Sequence, residues 1–506
     1  EGEEPFAEVE VAERVAPIER IPALAPHEDD AAPVERAIEN AAALDPFFAA
    51  LTRTELRMPG AITRATHYGD SAIGNDGITA AIRGKLQARF GDAGHGFHLL
   101  GQPNLSYKHK GVSFQEKAPW SGCFIIFGCR KDGYYGVGGT TFQSTGGAEI
   151  KLGTAAKGPA GRKVSRFTLW YAAQPRGGNL RLKVDDEEPI VLSTKADALA
   201  DRWHTIEVVD GAHALSVRAA GGGKVRAYGV SLERDGPGVV WDGMSQIGAY
   251  TRRMLHYDEE HFLRQLRARK THLVVLMFGG NDMNPGFNLA QYKADYAALL
   301  RRVKAIGPDT ACLVMAPLDH GEHKGARIVT RAIVPTIVEA QREVAIAEGC
   351  GFWDTYQAMG GEGSMGRWAR ADPKLGSGDL AHLTHHGHKV IGAMLYRALM
   401  ASFREYRGRV VDTPLVELGA GFSGPPGGEG ASEVISAGAS DVAEETDAAG
   451  GEAAVDTDDA TDTDAEPDGP GGAGVAIPES DDEPASDATP PGDPTSPTTP
   501  PAATGP

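Results

Sequence analysis

The chain has 506 residues, 41 % of them hydrophobic, which is enough for a sizeable core, and a formal net charge of −19. No apolar run approaches the roughly 20 residues needed to span a bilayer, and no Lys/Arg-rich stretch suggests nucleic acid as a partner. The acid sits at the ends: residues 1–40 hold 12 acidic and 3 basic residues, and from Val411 onward there are 22 acidic residues and no Lys or Arg. The body, 41–410, keeps 35 acidic and 47 basic residues, a modest positive balance that suits an anionic polymer.

In chain order, residues 1–43 read as an acidic, mostly disordered extension. The apolar stretch 62–68 reads as a strand ending at Gly69-Asp70-Ser71. Asp76-Gly77 then opens a helix with apolar residues at Ile78, Ile82, Leu86 and Phe90. About 140 residues separate Gln102 from Trp241, too many for a loop in a compact domain. They hold short alternating runs, 166–171, 180–184, 204–209 and 214–218, broken by Gly and Asp, which read as an antiparallel sandwich. Trp120, Tyr134, Tyr135, Trp170 and Tyr171 are its candidates for stacking on sugars, with core packing as the alternative.

After this insert the chain alternates. A helix over 259–269 precedes the continuous apolar run 273–278, typical of a strand buried on both faces of a parallel sheet, which ends at Gly279-Gly280-Asn281-Asp282. A helix near 289–306, a strand at 311–316, a helix near 332–348, a strand at 351–354 and a last helix from about 387 to 407 complete a three-layer α/β pattern. Before that last helix stands Asp379-Leu380-Ala381-His382-Leu383-Thr384. Residues 411–506 form an acidic tail rich in Pro, Gly and Thr. Beyond about Gly424 it has too few large apolar residues to offset the entropy of ordering.

Three short segments therefore supply a hydroxyl, an amide and an acid–base pair. Two of them lie at strand carboxyl ends, where loops of open α/β sheets converge. A hydroxyl is a poor nucleophile unless a base lies in hydrogen-bond reach, and an imidazole beside a carboxylate is such a base.

With Gly69-Asp70-Ser71, Gly279-x-Asn281-Asp282 and Asp379-x-x-His382-Leu383-Thr384, the chain resembles the SGNH or GDSL hydrolases. Over 44–96, and especially from Thr79 to Gly94, it is similar to the bacterial peptidoglycan O-acetylesterases of that superfamily, which carry a β-rich domain after the nucleophile block. The resemblance implies a flavodoxin-like, three-layer parallel-sheet hydrolase split as 44–102 and 239–410 around an inserted jelly-roll, carbohydrate-binding-like domain, 103–238. It implies Ser71 as nucleophile, His382 as base and Asp379 as the group orienting it. The oxyanion donors would be the N–H of Ser71, the N–H near Ser245 and the amide of Asn281. Asp70, Gly279 and Asp282 would brace the loops. In the second block, Asp242 to Ala249, Ser245 stands where the family has Gly, and Gly243 is the alternative register.

The implied activity is hydrolysis of O-acetyl esters on a polysaccharide, peptidoglycan first, with no cofactor and no metal. An esterase of acetylated exopolysaccharide or plant glycan, or a non-catalytic glycan-binding protein, is the alternative. The resemblance also implies an exported bacterial protein: periplasmic, cell-surface or extracellular. The chain begins at Glu1 rather than Met, as after removal of a targeting segment or after trimming of the sequence. The pairs Cys123/Cys129 and Cys312/Cys350 are each a candidate disulfide or two buried thiols. His382, His385, His386 and His388 lack a metal-binding pattern such as His-Glu-x-x-His, so the last three are expected to be solvated or to bind helix-end groups. His320 and His323 fall in a loop after Pro317, at the surface or lining the cleft. The oligomeric state is not legible.

Overall fold

The computed structural model describes residues 19–103, 107–158, 160–419 and 435–436. Five strands form a parallel sheet: β1 (Ile62–Gly69), β2 (Gly238–Ser245), β3 (Leu273–Met277), β4 (Ala311–Met315) and β5 (Gly351–Trp353), in the order β2-β1-β3-β4-β5. This is the flavodoxin-like order, whose direction of winding reverses beside β1. Registers run Ile62↔Gly238 to Gly69↔Ser245, Ala65↔Leu273, Leu273↔Ala311 and Leu313↔Gly351.

The unbroken apolar run of β3 is explained by its two neighbours. Leu273, Val275 and Met277 join the apolar cluster of α1 (Asp45–Glu55), α2 (Gly77–Phe90) and α6 (His385–Val410). Val274 and Leu276 face the opposite cluster with α4 (Leu289–Lys304) and α5 (Ile333–Ala347). Each side chain leaves water, whichever way it points. The layers close tightly: a Cβ at Gly392 of α6 would lie 2.6 Å from that of Ala81 in α2, so only glycine permits this approach.

Between β1 and β2 the chain builds two antiparallel sheets. The smaller orders Val112–Ala118, Glu149–Thr154, Ala214–Ala219, Asn179–Val184 and Ile190–Ser193. There Leu180, Leu182, Val184, Leu215 and Val217 are buried while Arg181 and Arg218 are exposed, as alternation predicts. The larger orders Ala200–Gly211, Val164–Ala173, Val225–Glu233, Thr140–Ser144 and Ser121–Phe124, with Gly94–Leu99 also on Val225–Glu233. Val164–Ala173 and Val225–Glu233 are buried at every residue. One apolar cluster runs through both sheets and into the α4/α5 side of the parallel sheet, so this sheet is covered on both faces.

That burial decides the aromatic candidates. Trp120, Tyr135, Trp170 and Tyr171 are core residues, and Tyr134 stacks on His261 at 4.3 Å, so packing accounts for all five and the sugar-stacking expectation is corrected. Trp170 Nε1 donates to Ser231 Oγ inside the sheet.

A charged network pins this β-region to the parallel sheet. Arg64 of β1 donates from Nε and Nη2 to Glu233 (3.2 and 2.9 Å), and Arg269, the last residue of α3 (Glu259–Arg269), binds Asp242 of β2 (2.7 and 2.9 Å) and Glu233. Asp242 Oδ1 also accepts the N–H of Phe97 at 2.9 Å. All four charged residues are at most 1 % exposed. The two guanidinium groups hold the Glu233 carboxyl far below the usual range despite the opposing effect of burial. Both cysteine pairs are disulfides, Cys123–Cys129 and Cys312–Cys350.

The acidic ends are more ordered than expected where they are described. Ile21, Ile38 and Leu44 are buried, Asp30 pairs with Arg89 and Arg404, Glu35 with Arg397, and Glu39 with Arg342. At the other end Ile21 N–H donates to Thr413 O, and Arg53 Nη1 donates to Leu418 O. Asp30, Glu35 and Glu39 are thus neutralised by the basic body, and Ile21, Ile38 and Leu44 are covered. Residues 1–18 and most of the tail beyond Gly419 lie outside the described residues, with the expectation of disorder made for them.

Candidate active site

The segments meet at the carboxyl edge of the parallel sheet. Past Gly69, Asp70 caps a short 3₁₀ turn, Ser71–Ile73, its Oδ1 accepting the N–H of Ala72 at 2.9 Å. As the first residue of that turn, Ser71 has an N–H with no partner inside it. A Cβ at Gly69 would fall 2.9 Å from Met277 O and 3.0 Å from Ile73, so β1 and β3 approach this closely because of glycine.

Ser71 Oγ lies 2.8 Å from His382 Nε2, and His382 Nδ1 lies 2.7 Å from Asp379 Oδ2. The other carboxylate oxygen, Oδ1, accepts the N–H groups of Ala381 and His382 at 3.0 Å each. Asp379 therefore caps its own turn and orients the ring. Leu380 at its centre takes a left-handed φ of 61°, unusual for a leucine, and is buried. Leu380 O accepts Gly321 N–H at 2.8 Å, which ties this loop to the next one. Thr384 then starts α6, accepting Gly387 N–H at 3.2 Å.

The hydrogen bond that His382 Nδ1 donates to Asp379 is the largest influence on His382 and raises its pKa above the ordinary 6.5, with the Asp379 and Asp70 charges acting in the same direction and burial opposing. The same hydrogen bond holds the Asp379 carboxyl below the ordinary carboxylate range. Burial pushes Asp70 up to about 6. An imidazole so held can receive a hydroxyl proton and stay oriented as imidazolium.

Ser71, His382, Asp70 and Asn281 line one cavity of about 230 Å³, with Gly280, Leu318, His320 and Arg331 among its other walls. Asn281 Nδ2 donates to Ala249 O at 3.1 Å, leaving its second amide hydrogen available. Gly279 holds φ at 123°, and a Cβ there would lie 3.0 Å from Gln341 Nε2. Asp282 Oδ2 accepts the N–H and hydroxyl of Thr251 (3.0 and 2.9 Å), fixing the Asn281 loop to the segment after β2.

The second block spans the end of β2 and the turn after it. Ser245 ends β2 beside Gly69, with its hydroxyl toward Asp70 O (3.4 Å), and is not among the cavity-lining residues. Gly243 lies within β2 opposite His67, where a Cβ would meet Thr79 at 3.0 Å. The turn beside Asn281 is Gln246–Ala249, in which Gly248 has φ 83° and nothing within 4 Å of a Cβ position.

His385 and His386 are exposed, with His385 Nδ1 3.3 Å from Lys110 Nζ. His388, expected to be solvated or at a helix end, is instead buried over Gly77, whose missing Cβ makes room for the ring. Among the described residues no group of three or more His, Cys, Asp or Glu is arranged to hold a metal ion. His320 lines the cavity while His323 is exposed. Arg331 escaped the sequence reading, since nothing distinguishes it among 50 basic residues.

Residues 209–390 match the model of the GDSL-like Lipase/Acylhydrolase family, a span holding Asn281, Asp379 and His382 but not Ser71. The chain resembles the SGNH hydrolases, and by that resemblance it is a carboxylic ester hydrolase. Among solved structures, a peptidoglycan O-acetylesterase shares the fold with a TM-score of 0.59 at 20 % identity, over 71 % of this chain and 96 % of that one. An acetyl xylan esterase aligns with a TM-score of 0.25 at 15 % identity, over 32 % of this chain and 80 % of that one. A family two carbohydrate esterase from Cellvibrio japonicus gives 0.24 at 11 %, over 61 % and 98 %. No curated protein sequence matches the chain.

Proposed function

We propose that this esterase removes O-acetyl groups from a polysaccharide, peptidoglycan first, through a Ser71 acyl-enzyme. The observation that carries the reading is the continuous path Ser71 Oγ, His382 Nε2, His382 Nδ1, Asp379 Oδ2 opening into the cavity that Asn281 also lines. His382 takes the Ser71 proton as Oγ attacks the acyl carbon, then returns it to the departing sugar hydroxyl. Water, deprotonated by His382, releases acetate and restores Ser71. The oxyanion receives the Ser71 N–H, the second hydrogen of Asn281 Nδ2 and the backbone N–H near Ser245. No cofactor enters.

The glycan assignment is supported by the fold shared with a peptidoglycan O-acetylesterase and by the basic balance of residues 41–410. The jelly-roll reading of the two antiparallel sheets belongs to this proposal. With its aromatics in the core, the insert acts chiefly as scaffold. Export beyond the cytosol is supported by the two disulfides.

The test is acetate release from O-acetylated peptidoglycan, acetylated xylan and an aryl acetate, by wild type and Ser71→Ala. Release preferring peptidoglycan and abolished in the variant is expected. Ser71-dependent release confined to the other esters rejects the cell-wall substrate, and no release at all favours a glycan-binding protein.

A further inference from the structure

Arg331 follows the hairpin Gly321–Lys324/Arg327–Thr330 and is fixed at its base, its N–H donating to His320 O (2.8 Å) and its carbonyl accepting Val334 N–H (2.9 Å). It is the one Arg or Lys among the residues lining the cavity that contains Ser71 and His382. One guanidinium donor, Nη2, goes to Met283 O at 2.9 Å. Among the described residues Arg331 makes no ion pair, so none of its five donors meets a carboxylate.

The neighbouring acids are engaged elsewhere. Asp70 accepts the N–H of Ala72, and both oxygens of Asp379 serve His382 and the turn amides. His320, which lines the same cavity, is driven down to about 4 by burial first and by the Arg331 charge next, so it stays neutral near pH 7. A fixed cation thus lines a small polar cavity beside the reacting hydroxyl without an ion pair, although the Asp70 carboxylate, held by Ala72 N–H, lines the same cavity. Guanidinium binds a carboxylate through paired hydrogen bonds, which suits such a position to recognition.

We infer that Arg331 is an anion anchor that selects esters carrying a carboxylate close to the scissile bond, as in acylated acidic sugars of the uronic or muramic acid type. This rests on the reading of the cavity as the ester site and narrows its substrate class. The carboxylate has two sources, the alcohol and the acyl group, and the assay separates them.

Full-length wild type, Arg331→Gln, Arg331→Lys and Ser71→Ala are assayed on 3-carboxyphenyl acetate against its methyl ester, and on phenyl hydrogen succinate against phenyl butyrate. In wild type, one acid ester is expected to exceed its neutral counterpart by about 10- to 100-fold in kcat/KM, chiefly through KM, as suits a charge-assisted hydrogen-bonded pair. Arg331→Gln, which keeps a donor for Met283 O, removes the preference, and Arg331→Lys retains part of it. Preference for the first acid ester assigns the carboxylate to the alcohol, and for the second to the acyl group.

Equal rates on acid and neutral esters in wild type, or a preference that survives Arg331→Gln, overturns the inference. So does a fall in kcat on all four esters with their ratios unchanged, which would make Arg331 only a clamp on the Met283 loop. Binding of glucuronate against glucose, measured by calorimetry on wild type and Arg331→Gln, keeps the two readings apart. Arg331-dependent glucuronate binding without Ser71-dependent hydrolysis supports the anchor and rejects the esterase mechanism. Ser71-dependent hydrolysis with indifferent binding and equal ester rates does the reverse.

Discussion

Strand β1 carries two kinds of charge cluster seven residues apart. At Arg64 it enters a network with Glu233, Arg269 and Asp242 in which every side chain is at most 1 % exposed. Just past its end it presents Ser71 to His382 and Asp379, whose side chains are 48 % and 50 % exposed. The chemistry of the pairs is similar, a carboxylate against a nitrogen base. The first cluster is closed, with opposite charges interlocked and another β-region attached. The second ends in a hydroxyl facing a cavity. Burial with full pairing holds elements together, whereas a path with one end open can pass a proton.

The largest test of this contrast is Ser71→Ala. In a triad that acts as a unit, loss of the nucleophile costs about 10⁶-fold in kcat, while a small-to-small change at this half-buried turn residue leaves the unfolding curve nearly unmoved. Steady-state kinetics and urea titration on the same variant check both halves. The opposite result is expected from Glu233→Ala. Removing the shared carboxylate strands Arg64 and Arg269 in the interior and lowers unfolding stability by about 3–5 kcal/mol. Because Glu233 titrates far below its unfolded value, its contribution is complete at neutral pH, present above the unfolded pKa, and lost only as pH falls through the folded one. Ester turnover per folded molecule should stay near wild type, and a loss of turnover at full folding would merge the two clusters.

Asn281→Ala is a smaller step. One oxyanion donor is worth about 100- to 1,000-fold in kcat, with KM little altered, because the charge it meets exists only in the transition state. A change confined to KM would reassign Asn281 to substrate positioning. Its bond to Ala249 O also predicts some loosening of the Gln246–Ala249 turn, readable as faster amide exchange there.

The two clusters also differ in how far the sequence reveals them. Ser71, Asn281, Asp379 and His382 stand next to glycines, at strand ends or at a turn spacing, so local pattern marks them. The parallel sheet is legible for a similar reason, since a strand like 273–277 covered on both faces becomes uniformly apolar. The buried network is not, because Arg64 and Glu233 are 169 residues apart and no local rule pairs them. The order of residues 19–43 is hidden in the same way, with Asp30 meeting Arg404 across 374 residues. The aromatics of the insert mislead because alternation predicts one wet face, and the strand that carries Trp170 and Tyr171 has none.

The smallest effect expected is a shift along the pH axis, and it bears most directly on how the open cluster works. As base, His382 must be neutral, so kcat/KM should rise with pH through a limb set by its pKa, which Asp379 places above the ordinary 6.5. In Asp379→Asn the hydrogen bond to a charged acceptor and the attraction of that charge both vanish. The Asp70 charge still raises the pKa and burial still lowers it, so the limb moves to lower pH. Asp70 itself, pushed up to about 6, becomes neutral toward the acid end and withdraws its support there. His320 stays uncharged over most of this range, and Arg331 stays charged. A rate profile from pH 5 to 9 for both proteins shows the shift. A limb that stays in place would mean that His382 is not the titrating base, and the proton path from Ser71 would have to be drawn elsewhere.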